Sequence, residues 1–311
     1  MILTLTLNPA IDRTIAVDRL AFEDRAYIDS KGESPGGRGI NAACVIQSFG
    51  STSLAIITSG GATGARLEEL LRCCGFPVMV VPIRNESRTN LTITDRHGLT
   101  VNLNEAGPHM EKAEIARLEK VVLEKLSGAA WLMLSGSLPP GVPPSFYANM
   151  IVKARELKVK TLLDADGEAL RHGIEAGPTV ASPNQQEAER LLSRALLTRG
   201  HFRAAVARIR EMGAGSVVLT LGSRGAVGAF GNRTLEAVPP RVDAVSPIGS
   251  GDALAAAFVW AMERKNDPAD ALRWGVATGT ASALLPGLRF ATREQAEKIY
   301  QQVEVRKMEQ A

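Results

Sequence analysis

The chain has 311 residues, enough for two domains or for one large α/β domain with an insertion. Its composition, 45% hydrophobic and 22% charged, is typical of a globular protein with its own core, which excludes disordered, coiled-coil and collagen-like chains. The 36 basic and 33 acidic residues leave a formal net charge of only +3, too balanced to favour nucleic acid as a partner.

The N-terminus and the apolar runs argue against export and membrane insertion. Residues 1–9 lack the basic start and the cleavage site of a signal peptide, and the apolar run Ala253–Met262 is too short to cross a bilayer. The three cysteines (Cys44, Cys73 and Cys74) have no CxxC spacing and are predicted to be small buried thiols of a cytosolic protein. Four scattered histidines offer neither a metal site nor a triad. We therefore expect a cytoplasmic protein.

Short apolar strands alternate with amphipathic helices through most of the chain. The predicted strands are rich in Leu, Ile and Val, as are strands buried on both faces of a parallel sheet: Ile2–Leu7, Leu54–Thr58, Ala130–Ser135, Val159–Asp164 and Ser216–Leu221. The predicted helices lie between and after them: Ile40–Phe49, Arg66–Cys74, Lys112–Leu126, Pro144–Leu157, Gln186–Leu197, Phe202–Met212, Asp252–Glu263, Pro268–Leu285 and Thr292–Val303. This order predicts an α/β fold in which a mostly parallel sheet lies between two helical layers.

Two polar stretches, residues 9–35 and 86–106, interrupt this alternation. The first contains a short strand candidate at Thr14–Val17, and the second has the alternation of a hairpin that turns near Gly98. We predict one domain that takes in the whole chain, with both stretches inserted as a small β-sheet lid. The lid would cover a ligand, form a dimer surface, or both, because it has an apolar face made of Leu91, Ile93, Val101 and Leu103.

The segment Ser246–Asp252 (SPIGSGD) leads into an apolar helix. Gly249 and Gly251 allow the backbone to turn sharply and to approach a ligand closely. The first N–H groups of the helix are free to bind an anion. Asp252 could therefore accept the proton of a hydroxyl while these groups stabilise a developing phosphoryl charge. Alternatively, Asp252 merely complements the helix dipole.

Further polar groups follow other predicted strands. Residues 35–41 (PGGRGIN) open a helix, where the glycines could surround a polar ligand or simply form a turn with an Asn cap. Residues 184–187 (NQQE) could hold a hydrated Mg²⁺ or form a capping box. Residues 220–225 (TLGSRG) place glycines at a strand end. Asp12 is either solvated or binds hydroxyls, and Arg88 at the root of the hairpin suits a phosphate, although lone surface arginines are common. Neither GxGxxG nor GxxxxGK[ST] is present, which argues against dehydrogenases and P-loop ATPases.

Taken together, these motifs resemble the phosphofructokinase B family of ribokinase-like sugar kinases. The resemblance is carried by TLTLNP before Asp12, GGRGIN, SGSLPPG at 135–141, NQQE and GSGD in this order, and it extends over about residues 1–305. The chain is most similar to the branch that contains 1-phosphofructokinase, tagatose-6-phosphate kinase and the minor bacterial 6-phosphofructokinase. The resemblance implies a three-layer α/β core, a homodimer formed through the lid, and Mg²⁺-assisted transfer of the ATP γ-phosphoryl group to a hydroxyl of a ketohexose phosphate.

The resemblance also implies roles for individual residues. Asp252 would be the catalytic base, with an anion hole of Gly249, Ser250 and Gly251. The substrate would be bound by Asp12, Arg25, Gly37, Arg38, Asn41, Arg88 and Ser137. The nucleotide would be bound by Asn184, Thr220, Gly222, Gly225, Gly251 and Gly279. Mg²⁺ would be held by Glu187 with Asp164 nearby.

Fructose 6-phosphate is the acceptor we expect first, and fructose 1-phosphate and tagatose 6-phosphate stay open as alternatives. Two further alternatives are a non-catalytic sugar-phosphate sensor and a nucleoside or ribose kinase. A sensor would have no reason to keep a base such as Asp252 at an anion site. A kinase for an unphosphorylated sugar would need no cation such as Arg88 at the root of the lid.

Overall fold

The computed structural model describes residues 1–21, 23–265 and 267–309. In chain order its strands are β1 (Ile2–Thr6), β2 (Ala10–Val17), β3 (Ile28–Gly36), β4 (Ser53–Ser59), β5 (Val78–Pro82), β6 (Arg88–Asp95), β7 (Thr100–Asn104), β8 (Trp131–Ser135), β9 (Lys160–Asp164), β10 (Val180–Ala181), β11 (Ser216–Thr220), β12 (Ala226–Phe230), β13 (Arg233–Val238) and β14 (Glu304–Lys307). The α-helices are α1 (Arg38–Ser48), α2 (Gly61–Arg72), α3 (Lys112–Leu126), α4 (Phe146–Glu156), α5 (Gly167–Glu175), α6 (Gln185–Leu192), α7 (Arg199–Glu211), α8 (Ser250–Glu263), α9 (Pro268–Ala283) and α10 (Arg293–Tyr300).

A ten-stranded sheet forms the centre of the molecule, in the order β14-β13-β12-β11-β10-β9-β8-β1-β4-β5. The strands from β5 to β11 pair in parallel, and β12, β13 and β14 extend one edge as antiparallel strands. Strands such as β1 are buried on both faces, which explains why their sequences are almost wholly apolar. The predicted α/β fold is confirmed.

Helices cover both faces of this sheet. Helix α3 shows the reason, because its apolar stripe of Leu118, Val122 and Leu126 packs with Leu132 and Leu134 of β8 in one core cluster. On the opposite face, residues of α1, α8, α9 and α10 form a second cluster around Phe258 and Trp260. Burial of each large side chain contributes roughly 1.5–3 kcal/mol, so the two clusters hold the three layers together.

The strand order reverses at β1, which lies between β4 and β8. At such a switch point the chain leaves neighbouring strands in opposite directions, and the carboxyl ends of the strands border an open crevice. Asn8 follows β1, Ser137 follows β8, Asn184 follows β10, and Asp164 and Thr220 are the last residues of β9 and β11. The crevice is therefore lined by polar groups from five strands.

The two inserted stretches form a second sheet in the order β3-β2-β6-β7, called the small sheet below. Strands β6 and β7 are the predicted hairpin, and β2 extends further toward β1 than the predicted strand Thr14–Val17. The register places Asp12 beside Asn90 on one face, and Ile15, Ile93 and Val101 on the other. The small sheet thus has one polar and one apolar face.

Several elements differ from the sequence-based expectations. Helix α6 ends at Leu192 rather than Leu197, because Ser193 adopts a left-handed conformation (φ 50°) that stops the helix. Strands β3, β5 and β14 and helix α5 were not predicted. The cysteines are also more accessible than expected, since Cys73 is exposed while Cys44 and Cys74 are half-buried. Among the described helices, none is long and apolar enough to cross a membrane.

Candidate active site

The start of α8 is shaped by Gly249, which caps the helix in a left-handed conformation (φ 76°). A Cβ atom at this glycine would lie 2.8 Å from Leu288 Cδ1, so a side chain is excluded on both grounds. The backbone amide and the hydroxyl of Ser250 both donate to the carbonyl of Pro247, at 3.2 and 2.8 Å. Of the residues predicted to form the anion hole, Ser250 therefore uses its amide to close a turn, and the amides of Gly251 and Asp252 follow it at the start of the helix.

Asp252 is the carboxylate at this helix start. Asn41 Nδ2 of α1 donates to its Oδ2 at 2.7 Å, so Asn41, which is predicted to bind substrate, also orients the candidate base. Desolvation by the surrounding protein, reinforced by the charge of Asp164, raises the pKa of Asp252 to about 7, against the opposing effects of Asn41 and Arg38. A carboxyl with this pKa is close to the ideal for a general base at neutral pH.

Arg38 links two further carboxylates of the crevice. Its guanidinium donates to Asp164 Oδ1 at 2.7 Å and to Glu187 Oε1 at 2.9 Å, and these acids, with Asp252, hold the pKa of Arg38 above its ordinary value. Burial raises the pKa of Glu187, although the Arg38 charge opposes this. Arg38 was predicted to bind substrate, but the structure groups it with the residues predicted to bind nucleotide and metal.

Two cavities meet at the helix start. The smaller, of about 200 Å³, is polar and is lined by Arg38, Asp164, Ser182, Asn184, Glu187, Thr220, Gly251 and Asp252. The larger, of about 1210 Å³, shares the lining residues Asn184, Thr220 and Gly251 with the smaller one. It is also lined by Gly222, Gly225, Ser250 and Gly279. All of the residues predicted to bind nucleotide therefore lie around one continuous space. Its outer wall includes the apolar side chains of Leu254, Val276 and Ala283.

The NQQE segment forms the capping box that its sequence offered as an alternative. The side chain of Asn184 accepts from the amide of Glu187 at 2.9 Å, and Glu187 Oε2 accepts from the amide of Asn184 at 2.8 Å. This arrangement holds both side chains at the start of α6, where they line the small cavity. Asn184 and Glu187 therefore both cap α6 and face the cavity.

A second polar group lies at the root of the small sheet. Asn90 Nδ2 donates to Asp12 Oδ1 at 2.8 Å, and the carboxylate of Asp12 rests against Gly36, where a Cβ atom would lie 2.2 Å from Oδ2. Burial raises the pKa of Asp12, opposed by the hydrogen bond from Asn90 and by the charge of Arg88. Asp12 is therefore not the solvated carboxylate of the alternative interpretation.

Arg88 is anchored beside this group rather than extended into solvent. Its Nε donates to the carbonyl of Asn8 at 3.1 Å and its Nη1 to the carbonyl of Glu105 at 2.9 Å. The side chain of Asn8 in turn donates to Ser137 Oγ at 3.1 Å. Burial lowers the pKa of Arg88, against the charges of Asp12 and Glu105. Asn8 thus joins Arg88 and Ser137, both of which are predicted to bind the substrate.

Three points remain: the positions of Gly37 and Arg25, which are predicted to bind substrate, and the direct binding of a metal ion. Gly37 caps α1 (φ 133°), and a Cβ atom there would lie 2.7 Å from Thr6 Cγ2, so this glycine permits close packing of α1 on β1. Arg25 is exposed, and the hydrogen bond described for it runs from its backbone amide to the carboxylate of Asp24. Among the described residues, no group of three or more His, Cys, Asp or Glu side chains is placed to hold a metal ion directly.

Sequence reasoning did not assign a role to two polar residues, Asn8 and Asn90. Asn8 lies in the TLTLNP segment, and Asn90 lies two residues after Arg88, on the same face of a strand. The buried amide oxygens of Asn8, Asn41 and Asn90 have no partner among the described residues. Unpaired buried acceptors are costly, so these three mark where a polar ligand would complete the structure.

A buried carboxylate at a helix start, beside the cation Arg38 and a cavity large enough for a nucleotide, is the arrangement expected of an α/β phosphotransferase. The sequence profile of the pfkB family of carbohydrate kinases matches residues 5–295, and the chain belongs to this family. It is a sugar kinase, as the resemblance of its motifs implied.

Relatives of known activity cover nearly the whole chain. The ATP-dependent 6-phosphofructokinase isozyme 2 of Escherichia coli is 33% identical over 302 residues, 96% of this chain and 97% of the relative. The 1-phosphofructokinase of Vibrio cholerae is 27% identical over 98% of this chain and 96% of its own. A tagatose-6-phosphate kinase of Staphylococcus epidermidis is 27% identical over 98% and 99%. All three expected activities thus occur among the relatives.

Solved structures give the same family and fold. The tetrameric inhibited form of phosphofructokinase-2 from Escherichia coli is 33% identical, with a TM-score of 0.90 over 96% of this chain and 98% of that chain. Arabidopsis thaliana ribokinase, 21% identical, has a TM-score of 0.79 over 96% and 98%, which shows the ribokinase-like fold.

Proposed function

We propose that this protein is an ATP-dependent phosphohexokinase that transfers the γ-phosphoryl group to a hydroxyl of a ketohexose phosphate, with fructose 6-phosphate as the first choice. The observation that carries the proposal is the position of Asp252: it lines the small polar cavity where this meets the nucleotide-sized one, and it is close enough to Asp12 for that charge to raise its pKa. The relative with 33% identity is a 6-phosphofructokinase, which favours this acceptor over the other two.

The nucleotide would bind in the larger cavity. Gly222 and Gly225, both with positive φ, carry no side chain that would narrow this cavity. Gly279 lets α9 lie so close to Ser250 that a Cβ atom at position 279 would be 2.8 Å from the carbonyl oxygen of Ser250. The adenine ring of the nucleotide would lie against Val276 and Ala283, and its phosphates would extend toward Thr220 and Gly251, where the two cavities meet. This orientation brings the γ-phosphoryl group to Asp252.

The sugar phosphate would bind under the polar face of the small sheet. Asp12 and Asn90 present a fixed carboxylate and amide to sugar hydroxyls. Arg88 has two of its five N–H donors bound to protein carbonyls, which leaves the rest of the guanidinium for a phosphate. Ser137, held by Asn8, would complete this phosphate site.

In the transfer step Asp252 would take the proton of the acceptor hydroxyl as its oxygen attacks the γ-phosphorus. The bond from this phosphorus to the β–γ bridging oxygen breaks, and ADP leaves with that oxygen. Asn41 holds the carboxylate of Asp252 in place through the bond to Oδ2. The N–H groups of Gly251 and Asp252 would stabilise the charge on the transferred group, so positioning and electrostatics supply most of the catalysis.

The polar cavity also fits a hydrated Mg²⁺. Asp164 and Glu187 both line this cavity. Arg38 donates to one oxygen of each, and the other oxygen of Glu187 accepts from the amide of Asn184, so water would bind through lone pairs that these bonds leave unused. Mg²⁺ normally keeps several waters and binds through one or two carboxylates together with substrate phosphates, so two carboxylates suffice. Asp164 and Glu187 would hold the ion through water, and bound there it would neutralise charge on the nucleotide phosphates.

We further propose a homodimer formed through the apolar face of the small sheet. Ile93 and Val101 lie on this face, and Leu103 is 50% exposed. A second copy would cover these side chains. A relative, phosphofructokinase-2 from Escherichia coli, has been solved as a tetramer. The proposed substrates are charged metabolites that do not cross membranes, which supports the expected cytoplasmic location.

The test is an ADP-release assay with ATP, Mg²⁺ and a panel of acceptors: fructose 6-phosphate, fructose 1-phosphate, tagatose 6-phosphate, fructose and ribose. We expect the highest kcat/KM with fructose 6-phosphate and little turnover with the unphosphorylated sugars. Preference for one of the other ketohexose phosphates would change the acceptor but keep the class. Preference for fructose or ribose would refute the role of Arg88.

A further inference from the structure

Tyr147 is a buried polar side chain to which the proposed reaction assigns no role. It lies in the first turn of α4 and is fully buried in the core cluster that contains Leu134 and Met150. Its hydroxyl donates to the carbonyl of Gly136 at 3.1 Å and to that of Ser135 at 3.3 Å. Burial raises the pKa of Tyr147, so this hydroxyl keeps its proton at neutral pH and stays a donor beneath the end of β8.

The backbone of Gly136 is held on both sides. Its carbonyl accepts from Tyr147, and its amide donates to the carbonyl of Asp164 at 2.8 Å. Gly136 has a φ of 95°, a left-handed conformation that favours glycine, and a Cβ atom there would meet nothing within 4 Å. The glycine is therefore needed for its backbone conformation, and open space borders the turn that it makes.

These bonds fix the direction of the next amide, that of Ser137. The peptide bonds of the described residues are all trans, so the N–H of Ser137 points opposite to the carbonyl of Gly136, away from Tyr147 and the core. Among the described residues this amide has no hydrogen-bond partner, and Ser137 itself is half-buried. A free backbone amide that points out of the core beside open space is a donor suited to an anionic oxygen.

We propose that Tyr147 is a positioning residue that aims the backbone amide of Ser137 at the phosphate of the acceptor. The inference rests on the proposed function, in which the sugar phosphate binds at Arg88 and Ser137. The phenol does not touch the substrate, because it lies in the core on the other side of the peptide. Without its hydroxyl the carbonyls of Ser135 and Gly136 lose their donor, and the peptide that carries the Ser137 amide is free to rotate.

The test is amide NMR of the full-length protein with isotopically labelled serine, titrated with fructose 6-phosphate and, separately, with inorganic phosphate. The signal of Ser137 is identified by its absence from S137A. In the wild type this signal should shift with both probes. In Y147F, half-saturation with fructose 6-phosphate should need roughly 3–10 times more ligand, the loss expected for one neutral hydrogen bond.

Two variants serve as comparisons. Y300F is the matched control, since it removes a hydroxyl that donates to Asp270 from a tyrosine that lines neither cavity, and it should leave the titration unchanged. G136A disturbs the same peptide without a steric clash, because only its positive φ is unfavourable for alanine, and it should weaken binding as Y147F does.

Kinetics separate positioning from a general loss of structure. In ADP-release assays Y147F should raise the KM for the sugar phosphate roughly 3–10-fold, while the KM for ATP stays unchanged and kcat changes by less than about twofold. A Ser137 signal that moves with neither probe would overturn the inference, as would a Y147F protein that titrates like the wild type or whose kcat falls as far as its KM rises. A shifted Ser137 signal without formation of any sugar bisphosphate would instead reject the proposed reaction and support the phosphate site.

Discussion

Substitution of Arg88 by Ala removes the cation that we propose binds the phosphate of the acceptor. In the structure its guanidinium is fixed by the carbonyls of Asn8 and Glu105, and the remaining N–H donors are free for a phosphate. A charge-assisted contact of this kind in a partly buried site contributes roughly 1.5–3 kcal/mol. Because 1.4 kcal/mol corresponds to a factor of about ten, the KM for the phosphosugar should rise roughly 10–150-fold.

The assay is steady-state ADP release with each substrate varied in turn. The KM for ATP should change little, since the nucleotide cavity does not include Arg88. The kcat should fall less than the KM rises, the result expected when a group binds substrate and transition state equally. R88K should restore only part of the affinity, because an ammonium keeps the charge but lacks the planar fork.

Arg84 provides the control, since it is exposed and lies four residues before Arg88, in the loop between β5 and β6. R84A should leave both KM values unchanged. An R88A protein that folds and keeps the wild-type KM for the phosphosugar would refute the phosphate site. The same conclusion would follow if R84A had an equal effect, because the loss would then reflect surface charge in general.

Three further predictions concern the base and the assembly. The kcat/KM should fall about tenfold per pH unit below pH 7, because Asp252, with a pKa of about 7, must be ionised to accept a proton; a flat profile down to pH 5.5 would contradict this. The pKa of Asp252 is raised from the usual 3.8 to about 7 in the folded protein, so its ionisation destabilises the fold increasingly as the pH rises from 3.8 to 7. D252N should therefore raise Tm at pH 8 by on the order of 2–6 °C. A lower Tm in calorimetry would count against a buried, uncompensated charge. I93D should convert the dimer to a monomer with an unchanged circular dichroism spectrum, whereas K112A, on the exposed face of α3, should leave it dimeric in light scattering.

Much of the central fold could be predicted because its strands are buried on both faces. Segments such as Trp131–Ser135 and Ser216–Thr220 are continuous apolar runs, and the stripe of α3 gives the helix bounds without error. Strand β3 (Ile28–Gly36) could not be found this way. It is exposed for most of its length and contains Pro and Gly, so its pairing with β2 leaves no pattern in its own sequence.

The candidate site was predictable as a set of positions but not as a set of contacts. Asp252, Thr220 and Gly279 could be assigned from motifs, and all line the crevice or border its cavities. The partners of Arg38 are 126 and 149 residues away, and Asn41 lies 211 residues from Asp252. Such pairings depend on the packing of α1 against α8, which a local pattern does not encode.

In the proposed reaction the protein transfers a phosphoryl group from ATP to a ketohexose phosphate, and Asp252 accepts the proton of the acceptor hydroxyl. Phosphorus NMR of the reaction with ATP, Mg²⁺ and fructose 6-phosphate tests it most directly, because it identifies the product. The wild type should form a sugar bisphosphate together with ADP, and D252N should bind both ligands yet form the bisphosphate about 10²–10⁴ times more slowly. Bisphosphate formation by D252N within threefold of the wild-type rate, or its absence with every ketohexose phosphate in the wild type, would contradict the account.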